Sequence, residues 1–531
     1  MATLSSIPKW QVLDGNGLPL AGAQLFTYLV GTDTPADTYT TYLGTTVAAW
    51  PLLFDAEGRS EVWLAPGLFK MVLKDVDDNI IWTVDGVSGG AGGPGSAVII
   101  DTVIGATDSL VSLAAGSSAQ VIALGYRTVG DGGGGSFRWD DNITSDDAGV
   151  YVKPTATIVT DPGRWVRVLD VNSDINVRWY GAYGDATHED YTFFTKAITY
   201  CDYNNATLLI PSGTFSVNND PGFSHEHPIK FAPNGILTWG YTGDDFDITP
   251  IIGDDDRTQH FDVGVYNPYF IEGTRALPHW FGAVGAGNDD TTKFQTTAAS
   301  LFYGGELFIP GGSYVLTQDI VIQSKLKICG EGRISILKAG GVGVTWTGAV
   351  GLFSHDTTTT LLDNVEICNF TIDGTYMGYG SGTKLNAKNL YIHDMYFTAF
   401  TYNMLVLGGT YGGSVNVEFS HNYMYNAGYS SSTIALQILN GQNVRINDNQ
   451  FIYDDDKAAR NAIYLIPGTD QILEDITIEG NTIKNSNIAV QYADSQDKAV
   501  DGLIIRNNKI TGAEATISIG DVPGASNSYG Y

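Results

Sequence analysis

The sequence is short of positive charge. Its 28 Lys and Arg stand against 58 Asp and Glu, a formal charge of −30. Such a surface repels a phosphate backbone, so nucleic acid is excluded as a natural partner and anionic membranes are disfavoured. Cysteine is nearly missing as well. Cys201, Cys329 and Cys368 are too few and too scattered for a disulfide framework, and are expected to be buried and reduced. No apolar run approaches ~18 residues, so no membrane-spanning helix and no membrane insertion are expected. The opening MATLSSIPKWQVLDGNG has neither a basic start nor an apolar h-region, so Sec export is not expected of a chain made in a cytoplasm. The 64 glycines keep no three-residue period, which excludes collagen.

Nucleotide and metal motifs are lacking too. The run GDGGGGSFRWD, from Gly130 to Asp140, has no Gly-Lys-Ser/Thr after it. It reads as a turn leading into a strand near Phe137 and Trp139. His225-Glu226-His227 does not have the HExxH spacing, and Asp454, Asp455 and Asp456 lack the alternating ligands of a calcium loop. No metal and no cofactor are expected.

What is present is β patterning and repetition. At 531 residues the chain exceeds one compact core, so two to four modules are expected. Residues 1–88 alternate short strand patterns with turns, as in AEGRSEVWL and LFKMVLKDVDDNIIWTV. GGAGGPGSA (89–97) is a linker, and 98–175 form a second small β-rich module. WYGAYGDATHEDYTFFTKAI from Trp179 recurs as WFGAVGAGNDDTTKFQTTAA from Trp280, and each copy leads to an Ile-Pro strand. Asp190 and Asp289/Asp290 are placed to cap helices at about 190–203 and 290–303. The stretch 218–275 between the copies has little repeat pattern.

Beyond residue 360 a nine-residue unit repeats: NVEICNFTI (Asn364), NLYIHDMYF (Asn389), NVEFSHNYM (Asn416), NVRINDNQF (Asn443), DITIEGNTI (Asp475) and GLIIRNNKI (Gly502). The spacings of 25, 27, 27, 32 and 27 residues mark stacked supersecondary units. Positions two, four and nine are apolar, and strand alternation turns two and four inward. Asparagine fills position seven in Asn422, Asn449, Asn481 and Asn508, which suits a stacked turn of left-handed geometry. A second apolar strand follows in each unit, as in TIALQIL, AIYLI, NIAVQY and ATISI. The expected fold is mainly β, a right-handed parallel β-helix preceded by small β-rich modules.

Trp-x-Gly-Ala-x-Gly, an acidic Thr-rich helix start and Ile-Pro-x-Gly-x-Tyr/Phe resemble the start of pectin-lyase-like right-handed β-helices. With LDGNGLPLAGAQLFTY…DAEGRSEVWL and LGYRTVGDGGGGSFRWD…INVRWYGAYGD, almost the whole chain is similar to bacteriophage tailspike and tail-fibre proteins. The resemblance implies a homotrimer in the virion tail, released by lysis. Residues 1–88 would dock on phage tail or adaptor proteins, and the β-helix (276–531) would meet a host surface polysaccharide and in many relatives depolymerise it. Residues 176–275, the first copy, would be a cap or shoulder. A purely structural or adhesive fibre, or a cellular polysaccharide lyase or hydrolase, are the alternatives.

Residue chemistry then gives candidates. Position three faces outward and reads Glu366, Tyr391, Glu418, Arg445, Thr477, Ile504. Glu366 and Glu418, two rungs and roughly 9–10 Å apart, stand near the upper limit for an inverting glycosidase. Tyr391 and Arg445 could grip a sugar. Position six aligns Asp394, His421 and Asp448, two acids about a histidine that could serve as a general base. A solvated sheet face with a Glu418–Arg445 pair, and a mutually solvating turn, account for the same residues. The insertion YDDDKAARN (453–461) is expected to be a loop on one face.

Overall fold

The computed structural model describes residues 3–521, apart from 5–8, 15–16, 42–45, 65–67, 89–97, 115–119, 157–160, 221, 224–227, 240–245, 249–250, 253–256, 264–267, 342–350, 356–360, 377–383, 401–402, 409–412, 426–432, 455–459, 468–471, 495–499 and 514. His225–His227, Asp455 and Asp456 therefore lie outside the described residues. The chain divides into two compact units, Met1–Tyr183 with Thr192–Leu208, and Gly184–Tyr191 with Leu209–Tyr531.

In the first unit, period-two patterning produces antiparallel-rich sheets, two of which carry the cores. One orders Leu52–Leu53, Gln24–Leu29, Leu68–Lys74 and Ile80–Ser88 over a core of Leu25, Phe54, Leu64, Met71 and Leu73. The other orders Val98–Thr102, Gln120–Gly125, Gly135–Asp140, Arg164–Arg167 and Tyr151–Val152 around Val121, Phe137 and Trp165. The glycine run is the turn that the sequence predicts. Its carbonyls at Gly133 and Gly134 accept from the buried Arg167 guanidinium at 2.9 and 2.6 Å. A Cβ on Gly134 would sit 2.4 Å from the Ala123 carbonyl oxygen, so the run is a close-packed corner.

In the second unit the repeat builds a right-handed parallel β-helix of three sheets. A ten-stranded sheet runs from Thr274–Ala276 to Ile504–Arg506, and a nine-stranded sheet from Ala286–Asp289 to Lys509–Thr511. A six-stranded sheet runs from Lys384–Leu385 to Ala515–Asp521 and contains the second apolar strand of each unit. Register is set by position: Val365, Leu390, Val417, Val444 and Ile476 pair in sequence, as do Ile367, Ile392, Phe419, Ile446 and Ile478. All ten are buried. Each such side chain contributes about 1.5–3 kcal/mol by leaving water.

Three expectations are corrected. The stretch 218–275 is not without repeat structure, because Gly235–Trp239 and Phe261–Val263 pair in parallel there, the former also pairing with Gly213–Ser216 just ahead of it. The short strands and changing loop lengths hide the period. The second correction concerns the helix caps. The helices are α1 (Tyr191–Asn204) and α2 (Thr291–Ser300). Asp290 makes no side-chain cap on α2; its carboxylate turns back to accept from Val284 N and Gly285 N at 3.1 and 3.3 Å. Asp190 likewise accepts from Gly184 N at 3.2 Å. Each brackets the Gly turn ahead of its helix, and of the Asp289/Asp290 pair it is Asp289 that accepts from the N–H of Thr291, the first residue of α2, at 3.0 Å. Burial pushes the Asp290 carboxyl above its ordinary range despite those two donors.

The third concerns asparagine. The left-handed residues are not those of position seven. They are position one (Asn364, Asn389, Asn416, Asn443, Asp475, φ 53–57°) and position six (Asn369, Asp394, His421, Asp448, Asn507, φ 54–62°). The chain bends before each straight segment, and the stacked asparagine follows the bend.

Candidate functional site

Alternation that buries positions two and four turns three and five of the ten-stranded sheet outward. Position three forms one continuous ladder, Glu306–Lys327–Glu366–Tyr391–Glu418–Arg445–Thr477–Ile504. Position five stacks Cys329, Cys368, His393, Ser420 and Asn447 beside it. Glu366 and Glu418 do share a face, with Tyr391 between them, and Glu418 is in register with Arg445.

Glu366 is heavily engaged. Its Oε1 lies 2.9 Å from Lys327 Nζ, 3.3 Å from His393 Nε2 and 3.5 Å from Cys368 Sγ. Partial burial works to raise its pKa, but the Lys327 and His393 bonds outweigh it and hold the carboxyl below its usual range. A carboxylate kept ionised in this way is a poor general acid.

Asp394, His421 and Asp448 occupy exposed left-handed corners on successive rungs. Of the two acids predicted about His421, Asp394 is engaged with a different ring. The Asp394 carboxylate sits 2.7 Å from Nδ1 of its neighbour His393, because the bend at position six turns it back along the strand. Tyr391 stacks on the same imidazole, ring centroids 4.2 Å apart.

Cys329 and Cys368 are 39 residues apart in sequence yet occupy adjacent rungs with sulfurs 2.9 Å apart. Cys368 donates to Cys329. That bond, against burial, draws the Cys329 thiol down to about 7, while the same bond and burial push the Cys368 thiol up. They remain free cysteines, and Cys329 is half-buried rather than buried as expected.

The nine-stranded sheet carries a set that the position-three and position-six readings passed over. Position eight pairs Thr371, Tyr396, Tyr423 and Gln450. Tyr396 and Tyr423 are half-buried and stacked, centroids 5.0 Å apart and planes 9° apart. The Arg333 guanidinium lies 4.7 Å from the first ring and 5.2 Å from the second. Tyr425 continues the stack at 6.3 Å and donates its hydroxyl to Asp454 at 3.1 Å, from the start of the predicted insertion loop. The result is two stacked phenols on successive rungs, a third two residues along the second strand, and one cation beside them. Such a group combines apolar contact with directional donors and acceptors.

Comparison with known proteins bears on the fold and the tail. Residues 107–170 match the phage tail protein small four-stranded beta-sheet domain. That stretch holds the strands Gln120–Gly125, Gly135–Asp140, Tyr151–Val152 and Arg164–Arg167. Among solved structures, the chain is similar to WceF of Pantoea stewartii, a glycan biofilm modifying enzyme with a tailspike-like parallel β-helix fold. The identity is 13% and the TM-score 0.21, over 96% of this chain and 66% of that one. It is also similar to gene product 12 of bacteriophage phi29 (16% identity, TM-score 0.33), over 46% of this chain and 34% of that one. A third is PfbA, a surface adhesin of Streptococcus pneumoniae, at 12% identity and TM-score 0.32, over 67% and 93%. No curated protein matches the sequence. The described residues contain no helix long and apolar enough to cross a membrane. Residues 107–170 thus match a phage-tail β-domain and precede, in sequence, a right-handed parallel β-helix.

Proposed function

We propose that this chain is a phage tail appendage whose β-helix binds a host surface polysaccharide along the Tyr396–Tyr423–Tyr425 row, with Arg333 beside it. The observation that carries the reading is the 9° stack of Tyr396 on Tyr423 under one guanidinium. A polymer of rings and hydroxyls is the natural complement of a rigid cluster of phenols spanning two rungs. Residues 1–88 dock on the tail, and three copies assemble in parallel. The engaged state of Glu366 favours binding over cleavage.

The test is incubation of purified full-length protein with isolated host polysaccharide, followed by retention and product sizing. Retention without shortening, weakened about tenfold (~1.4 kcal/mol) by Tyr423→Ala, is the expected result. Discrete oligosaccharides would replace the binding reading with a depolymerase. No retention by either protein would remove the polysaccharide. For docking, virions reconstituted with a chain lacking 1–88 should lose the appendage, and for assembly, the solution mass should equal three chains.

A further inference from the structure

The Cys329, Glu366, Cys368 and His393 side chains meet on the ten-stranded sheet, away from the tyrosine row. Donor atoms of Glu366, Cys368 and His393 all lie within 4.8 Å of one another. Cys329 Sγ adds a fourth donor 2.9 Å from Cys368 Sγ. These residues come from three successive strands, Leu326–Gly330, Leu362–Cys368 and Ala387–His393. The rigid rung spacing therefore holds the donors in place before any ligand arrives.

We propose that this cluster is a binding site for Zn²⁺ or a similar thiophilic divalent ion, with Cys368 Sγ, His393 Nε2 and Glu366 Oε1 as ligands and Cys329 Sγ completing the set. Two thiolates, an imidazole and a carboxylate form a donor set of the kind that zinc takes in tetrahedral sites. The orientation of His393 supports the assignment. Its Nδ1 is 2.7 Å from Asp394 Oδ2, the carboxylate–histidine contact that fixes a ligating imidazole and leaves Nε2 as the donor. That Nε2 faces Glu366 Oε1 at 3.3 Å, about the separation of two ligand atoms that share one tetrahedral ion at ~2.0–2.1 Å. Tyr391, stacked on the ring, holds its plane.

Three adjustments accompany binding. An ion about 2.3 Å from both sulfurs at a tetrahedral angle needs them roughly 3.8 Å apart, so the pair opens by just under ~1 Å. The thiol protons of Cys368 and Cys329 are released, as ligation by two thiolates requires. Lys327, whose ammonium now lies 2.9 Å from Glu366 Oε1, must swing away, and its side chain is 42% exposed and free to do so. Lys327 is thus a competitor for the site.

The experiment uses full-length protein purified under reductant, stripped with a chelator and titrated with Co²⁺ as the probe. The expected result is one Co²⁺ per chain with thiolate-to-cobalt charge-transfer absorption, displaced by Zn²⁺. Cys368→Ser should abolish that absorption. Asp394→Asn, which keeps a residue tolerant of the left-handed corner, should weaken affinity about 10–100-fold while leaving the unfolding curve in place. Lys327→Met should strengthen binding, which no purely structural role for the cluster would produce. Absence of the thiolate band, or a band and affinity unchanged in Cys368→Ser, would overturn the proposal. So would recovery of Cys329 and Cys368 as a disulfide that takes up no cobalt once reduced.

Discussion

Two asparagine ladders climb the same β-helix, and they differ in almost everything but residue type. The inner one joins Asn422, Asn449, Asn481 and Asn508 by amide-to-amide bonds of 2.9–3.0 Å. The outer one joins Asn389, Asn416 and Asn443 by similar bonds of 2.8 and 3.0 Å. Asn449 is fully buried, and Asn416 is exposed. The inner amides also serve the backbone. Asn449 donates to the Phe419 carbonyl at 2.8 Å and accepts from Asn422 N at 2.9 Å, closing groups that the turn leaves open. The outer asparagines instead occupy left-handed backbone, φ 57° at Asn389, 55° at Asn416 and 53° at Asn443. Equal bonds thus answer unequal demands. Inside, the side chain satisfies buried polar groups; outside, it permits a backbone bend.

The largest effect follows from the inner ladder. Asn449→Ala would remove the side-chain partners of the Phe419 carbonyl and the Asn422 N–H and take one bond from each of the Asn422 and Asn481 amides, all out of reach of water. We expect a loss of roughly 3 kcal/mol, read as a lowered urea midpoint of the β-helix transition followed by circular dichroism. Asn449→Gly should cost at least as much, because no left-handed φ is there to be relieved. A glycine variant markedly more stable than the alanine one would mean that the inner ladder, too, serves the backbone bend.

The sequence carried much of this, and its failures have physical causes. The period of the NVEICNFTI-type unit gave the β-helix, and apolar positions two, four and nine gave its inward ladders, because a solenoid repeats its core residue by residue. Asparagine at position seven announced a stack, but the left-handed corner was assigned one residue late, since φ follows the chain path and not the side chain. Asp290 stands where a cap stands, yet the preceding Gly turn offers its N–H groups first and Asp289 takes the Thr291 N–H. Tyr396 and Tyr423 were visible in principle. Position eight lies between the buried seventh and ninth, so alternation alone turns it outward. Cys329 and Cys368 were harder, because a long excursion separates their strands and breaks the period. Only the alignment of LKIC on VEIC, setting Lys327 by Glu366 and Cys329 by Cys368, signals the pair.

The smallest effects belong to the outer ladder, and they decide whether the comparison holds. Asn416→Ala removes cross-rung bonds that water replaces, so its cost should come mainly from a Cβ-bearing residue without a local hydrogen bond at φ 55°. That is about 1 kcal/mol. Asn416→Gly removes the same bonds but removes the steric penalty as well, and should lie within about 0.5 kcal/mol of the native chain. The two variants therefore separate bond from bend on one position, by the same urea midpoint used for Asn449. If glycine proves as costly as alanine, the exposed amide bonds carry stability after all, and burial no longer distinguishes the two ladders. If glycine is silent and alanine is not, the outer asparagines are there for their backbone, and the inner ones for the polar groups that they cover.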